Sequence, residues 1–414
     1  MYLEWSITDL EQTVLADNDD LANRLPGGKV TIPMPQHNGG RTASLPLSVE
    51  DPVCSLIAAY ECCLRVTLLD PDDSEHVVFL GRVGVPKTEA SSEGGTKTLQ
   101  AVDAWHQLEN SVMNVDSGFA VVGGADAFNQ SEYIWELIRS HAGDGHGVAE
   151  GSLDASAPSE GYLHGSGSTV AAEILRYVTG DDGPDISLDP IAATNGDLVG
   201  LNTYHPRQGS DLTASVIFTY GQGDETAVAF THEPATPCNK FLAIGQNVVT
   251  VIGGEDVTSP GVHYAYLAQH NASVAAIGEW MRSGTVDTDN AAELAAVAVS
   301  EVAMNAYPIE WFTLTSAPLL HPDSPATEGD GPPVFGPDHD YWVGDTIALN
   351  ARTYGPDGET VNEDFTLEGR VLQGAYVERD TGQLDVEIEC APEGWAAGVS
   401  GAADTVWVDE GATS

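Results

Sequence analysis

The sequence predicts a mainly β protein with an α+β insertion: two β modules separated by a mixed α/β middle domain. Two observations lead there. Short apolar runs with period-two alternation, broken by turn residues, fill roughly the first 115 positions and return after 206 and again after 311. Helical spacing behind capping residues is confined to a few segments, and no fixed-period repeat points to a solenoid or propeller. At 414 residues, with about 150 typical of one domain, two or three domains are expected.

Residues 1–115 are read as the first β module, a small β-barrel or sandwich, with strands at Lys29–Ile32, Arg41–Leu47, Leu64–Leu69, His76–Gly84 and Thr96–Val102. Asp70-Pro71-Asp72-Asp73 separates two of them as a turn. Residues 116–205 form the mixed α/β insertion. There Ser131 is expected to cap a helix through Arg139, and Ser168-Thr169 to open another over Val170–Val178. Between them 143–167 is rich in Gly, Ser and Ala, and is expected to be a flexible loop exposed to solvent. Residues 206–310 form a β-rich module, with strands at Leu212–Tyr220, Thr226–His232, Lys240–Gly245 and Val248–Ile252. It ends in an alanine-rich helix, Ala291–Ala306, introduced by Asp287-Thr288-Asp289 and closed by Tyr307-Pro308. Residues 311–392 form a final β set, with strands at Trp311–Thr315, Thr346–Arg352, Phe365–Gln373 and Gln383–Cys390 and a Pro- and Asp-rich connection over 317–340. Residues 393–414 are an acidic tail in which Val406-Trp407-Val408 has the pattern of an edge strand.

Sixty-three acidic residues against fifteen Lys and Arg give a formal charge of −48, which leaves no broad cationic surface for nucleic acid or anionic lipid. Such a charge opposes compaction where screening reaches about 8 Å, and far less at molar salt, where it reaches about 3 Å. With only four lysines (Lys29, Lys87, Lys97, Lys240), the composition reads as halophilic, from an archaeal host. No export leader, membrane anchor or run of about eighteen apolar residues is visible. Cys54, Cys62, Cys63, Cys238 and Cys390 lack paired spacing and are read as small core residues.

The search for chemistry yields no catalytic, cofactor-binding or metal-binding residues. His141, His146 and His164 lie near one another in sequence but are read as solvated loop histidines. Asp70-Pro71-Asp72-Asp73 and Asp181-Asp182-Gly183-Pro184-Asp185 look calcium-like, yet lack a full twelve-residue loop and are read as hydrated turns. Gly165-Ser166-Gly167-Ser168 and Gly398-Val399-Ser400-Gly401 do not make a nucleophile elbow, and Gly94-Gly95-Thr96-Lys97-Thr98 lacks the rest of a phosphate loop, so all are read as turns. Asn129-Gln130-Ser131 and Asn271-Ala272-Ser273 match the glycosylation tripeptide by chance.

Several segments in order carry a resemblance. They are Trp5-Ser6-Ile7-Thr8-Asp9-Leu10, Phe79-Leu80-Gly81-Arg82-Val83 with Leu99–Leu108, Asn239-Lys240-Phe241-Leu242-Ala243-Ile244-Gly245, and Tyr341–Leu349 with Leu367–Val371 and Glu378–Gln383. Together they resemble the minor tail proteins that form the tail-tip or baseplate hub of long-tailed, siphovirus-like viruses. The resemblance spans about 1–392, except 143–167 and 317–340. It implies a structural, non-enzymatic virion protein with two tail-tube-like β-barrel modules per subunit, 1–115 the first β-barrel and 311–392 the closing β-barrel, so that a homotrimer adapts a sixfold tail tube to a threefold tip during host attachment. Implied partners are the tail tube protein, the distal tail protein, the tape-measure protein and tip or receptor-binding proteins, with no membrane anchor and no main role in nucleic-acid binding. The implied location is the tail tip of a virion made in the host cytoplasm. Exposed strand edges would be closed by neighbours. Two alternatives remain open: a hexameric distal tail ring protein, and a halophilic hydrolase acting on cell-surface glycans.

Overall fold

The computed structural model describes residues 1–21, 24–70, 74–91, 94–113, 119–122, 129–142, 147–158, 162–165, 168–178, 183–194, 197–221, 226–234, 236–252, 255–286, 291–306, 310–316, 333–354, 360–379, 383–391 and 404–409. It divides into two compact units, the first made of 1–231 with 312–393 and the second of 232–311 with 394–414.

The first unit begins with β1 (Tyr2–Asp9), β2 (Val14–Ala16), β3 (Lys29–Pro33), α1 (Pro35–Asn38), β4 (Thr42–Ser48), β5 (Cys62–Leu69), β6 (Glu75–Val83), β7 (Lys87–Ser91) and β8 (Gly94–Val102). A mixed set follows: α2 (Trp105–Asn110), β9 (Phe119–Val122), α3 (Gln130–His141), β10 (Val148–Glu150), β11 (Tyr162–Gly165), α4 (Val170–Val178), β12 (Asp185–Thr194) and β13 (Asp197–Tyr204). After β14 (Ile217–Tyr220) and β15 (Ala227–Pro234), the chain enters the second unit with β16 (Lys240–Ile252), β17 (Glu255–Gln269), α5 (Asn271–Ile277), β18 (Met281–Thr285) and α6 (Ala291–Asn305). It returns through β19 (Glu310–Ser316), β20 (Thr346–Tyr354), β21 (Val361–Glu378) and β22 (Leu384–Ala391). The last strand, β23 (Asp404–Asp409), belongs to the second unit.

The mainly β class with an α+β insertion is the observed one. The large sheet runs β15-β19-β22-β21-β3-β4-β8-β6-β5-β1-β2, with β20 on β21, β14 on β20 and β7 on β8. Among the described residues its pairings trace an open path. β21 spans 18 residues and pairs antiparallel with β20, β22 and β3, placing Tyr376 opposite Val30. Alternation explains the inner face: Leu3, Trp5 and Ile7 of β1 are buried, as are Leu64, Val66 and Leu68 of β5. Gly81 is required where β6 crosses β8, because a Cβ there would lie 2.4 Å from the Val102 carbonyl oxygen.

The insertion packs Tyr133, Ile134, Leu137 and Ile138 of α3 and Val170, Ile174 and Val178 of α4 onto Ile186, Leu188, Leu198 and Leu201 of the β12–β13 hairpin. The α3 cap differs from expectation. Asn129, not Ser131, accepts from the Glu132 N–H at 2.9 Å while Glu132 reaches back to the Asn129 N–H at 3.0 Å, and Ser131 is buried inside the helix. At α4 the expected opening residue does act, Thr169 Oγ1 accepting from Ala172 N–H at 3.2 Å. The segment 143–167 is not simply an exposed loop. Its described part contains β10, parallel to β13 with Val148 buried, and β11, antiparallel to β9. Backbone pairing holds these strands, so they need few large apolar residues.

In the second unit the sheet runs β18-β16-β17-β23, and Val406–Val408 does lie on the edge strand β23. Leu294, Ala298 and Val302, one turn apart on α6, cover Phe241, Ala243, Tyr266 and Ala268. The segments expected to flank α6, 287–289 and 307–308, lie outside the described residues, as does most of 317–340. All five cysteines are free. Four are buried, and burial pushes the Cys63 thiol up to about 12, which fits their reading as core residues.

Candidate functional site

The features that stand out are strand edges. Among the described residues β18 is paired on one side only, in parallel with β16, and its neighbours Ile277 and Trp280 and its own Met281 are exposed to 37%, 45% and 49%. This edge is built from one buried residue. Asn239 is fully buried; its side chain donates to Ser273 Oγ at 3.1 Å and the Gly278 carbonyl at 2.7 Å and accepts from the Trp280 N–H at 2.8 Å. Its backbone bonds with Trp280 and His270 complete the set. The network ties the start of β16, α5 and the turn before β18 together, so the apolar edge is presented by a rigid frame.

The first unit repeats the pattern on its own edges. β2 leaves Val14 and Leu15 exposed, β14 leaves Ile217, and β15 leaves Val228, each strand lying at the end of a sheet path or branch. β7 is the contrast: Lys87 and Glu89 form a 2.7 Å ion pair along it, the charged guard usual for an edge that must stay single. β18 carries Arg282 as well, beside the Lys240–Glu279 pair, so its apolar residues sit within a partly charged edge. Exposed apolar side chains along such edges suit another strand or an apolar partner.

Three side chains could hold a metal. Asp70 at the end of β5, His76 on β6 and His339 in the turn before β20 place one ligand atom each within 4.8 Å of one another. None of the three sequence histidines enters this group: His141 ends α3, His164 sits opposite Ala120 on β11, and His146 lies outside the described residues. The acidic runs differ from expectation in part. Asp70 opens the β5–β6 turn, its N–H on the Ser74 carbonyl, with 12% of its side chain exposed, whereas Asp185 is buried against Arg370. Pro71, Asp72 and Asp73, Asp181 and Asp182, Ser166 and Gly167, and Gly398–Gly401 lie outside the described residues. Thr96-Lys97-Thr98 is strand, with Lys97 Nζ on the Cys54 carbonyl at 2.9 Å.

A hollow of about 440 Å³ beside α2, lined in part by Tyr60, Arg82, Asp103 and His106, is the place to look for acid–base chemistry. Burial pushes the Asp103 carboxyl up to about 6, against the Arg41 and Trp105 N–H groups and the Arg41 charge, which pull it down. Both its oxygens are committed to backbone, accepting from Arg41 N at 2.7 Å and Trp105 N at 3.0 Å, so its work is to hold the β3–β4 connection against α2. The folded chain therefore keeps this proton between about pH 4 and 6, where the unfolded chain releases it. Asp103 then makes stability fall as pH rises through that window, by up to about 3 kcal/mol. Urea unfolding against pH is expected to lose that component in Asp103→Asn; an unchanged pH profile would contradict it.

No protein-family model and no curated protein matches the chain. Solved structures do share its fold. The tail protein from Neisseria meningitidis MC58 superposes with a TM-score of 0.54 at 11% identity, covering 96% of this chain and 99% of that one. The 43 kDa tail protein of prophage MuSo2 from Shewanella oneidensis gives 0.53 at 12% identity, covering 97% and 100%.

Proposed function

We propose that the chain is a structural, non-enzymatic virion protein, the hub at a viral tail tip, that works by presenting strand edges to its neighbours. The observation that carries this reading is the set of exposed apolar side chains on strands at the ends of sheet paths or branches: Val14 and Leu15 on β2, Ile217 on β14, Val228 on β15 and Met281 on β18. The fold shared over nearly the full length of two tail proteins supports the same role. In this reading two tail-tube-like barrels per subunit let a homotrimer meet a sixfold tube, with the tail tube, distal tail, tape-measure and tip proteins as its partners. The −48 charge fits assembly in molar salt, in a virus of a haloarchaeal host, where carboxylate repulsion between subunits is screened.

Particle symmetry tests it. Three copies per particle, seen by cryo-electron microscopy of virions kept in molar KCl, are the expected result. Six copies would make it a distal ring instead, and a free monomer that releases glycans would make it an enzyme. Trp280→Lys with Met281→Lys, at positions about half exposed, is expected to abolish particle incorporation while leaving the circular dichroism spectrum unchanged. Normal incorporation would remove the β18 edge from the proposal.

A further inference from the structure

We propose that Asp70, His76 and His339 form a binding site for a divalent transition metal, of which zinc is the best fit, that staples the β5–β6 hairpin to the turn before β20. The three approach as ligands would. Asp70 Oδ2 lies 3.3 Å from His76 Nε2, and Asp70 Oδ1 lies 3.2 Å from His339 Nε2. Ligand atoms on a tetrahedral ion with bonds of 2.0–2.2 Å sit about 3.4 Å apart, and one atom from each of these three residues lies within 4.8 Å of the other two, so a small side-chain adjustment brings all three onto one ion. The two imidazoles face each other edge-on, with ring centroids 5.0 Å apart.

Burial makes the arrangement costly without an occupant. Asp70 Oδ1 and His339 Nε2 are both buried and neither makes a hydrogen bond, although they lie in ion-pair range of each other. The site is also built rather than incidental. Asp338 adopts a left-handed backbone, φ 63°, immediately before His339, and Gly336 lies so close beneath the ring that a Cβ would come within 2.1 Å of it. The turn is anchored in turn: Tyr376 donates its hydroxyl to the Phe335 carbonyl, and the Phe335 ring stacks on Trp342 at 4.5 Å. The hairpin contributes its two ligands from adjoining positions, Asp70 following β5 and His76 sitting opposite Leu68 on β6.

The donor set selects the ion. Two imidazoles and one carboxylate are poor for calcium or magnesium, which demand oxygen, and suit zinc, cobalt or nickel, with water completing the shell. The competing account is a metal-free ion triad in which protonated imidazoles flank the Asp70 carboxylate, with the Met1 amino group also feeling its charge.

Untagged full-length protein is incubated with zinc in molar KCl, desalted and assayed for metal by mass spectrometry, beside Asp70→Asn and His339→Gln. About one zinc per chain in the wild type, falling at least tenfold in both variants, supports the site. No retained zinc in the wild type, or equal retention in all three, overturns it, and the wild-type measurement stands even if a variant fails to fold. Zinc is further expected to raise the melting temperature of the wild type and not of His339→Gln; an equal rise in both would also overturn the proposal, marking the binding as general to the acidic surface.

Discussion

Arg370→Met is expected to lower the unfolding free energy by about 3–5 kcal/mol, against the roughly 5–15 kcal/mol a typical domain has to lose. Arg370 of β21 and Asp185 of β12 are 2% and 3% exposed and are joined through Nη2 and Oδ2. The guanidinium also donates to the Gly344 and Gln208 carbonyls, both at 2.9 Å, while Asp185 accepts from Gln208 N at 2.6 Å and from Gln36 Nε2 at 2.8 Å. Methionine would fill most of the volume and leave a buried carboxylate with no counter-charge, beside two carbonyls with a donor removed. Asp185→Leu added to Arg370→Met is expected to recover part of the loss, because it removes the unpaired charge but leaves the Gln208 and Gly344 groups without these partners. Urea titrations in molar KCl read both; a single variant within about 1 kcal/mol of wild type would show that the network does not clamp β12 to β21.

Trp5→Ala is expected to cost a similar amount, about 3–5 kcal/mol. Trp5 on β1 is fully buried, and Gly28 lies so near that a Cβ would stand 2.8 Å from its ring. Its indole donates to Glu378 Oε1 at 3.1 Å, and the same oxygen holds Arg24 at 2.9 Å. Removing the ring therefore opens a cavity where the first and last thirds of the chain meet. Trp5→Phe keeps much of the packing and loses the hydrogen bond, so it should fall well short of the alanine loss. Equal losses for the two would assign the effect to the Glu378 contact alone.

Local periodicity carried much of the fold. β5, β6 and β8 lie where alternation puts them, and α4 and α6 where capping and helical spacing do. The β12–β13 hairpin was not legible, because Asp185 and Asp189 look like loop residues until Arg370 of β21 and Arg41 of the β3–β4 connection supply partners from distant parts of the chain. The run 240–252 reads as two strands and is one, bent by register shifts near Asn247. Among the site residues, Asn239 stood in a recognisable segment, but its role as the buried anchor of an edge depends on a turn and a helix that sequence spacing does not join to it. Asp70, His76 and His339 left even less signal: two are neighbours across a hairpin and the third comes from near the far end of the chain.

The place of β21 bears on how the molecule is made. This strand, residues 361–378, lies between β3 and β22 in the large sheet, so β3 has its second neighbour only after most of the polypeptide has left the ribosome. Until then the nascent sheet carries an open flank at β3, and the long loop closure needed to seal it makes maturation slow. Synthesis would thus leave a long interval in which stray strands compete for that flank, and a chain cut short before residue 361 would be a substrate for chaperones or aggregation rather than a smaller working piece.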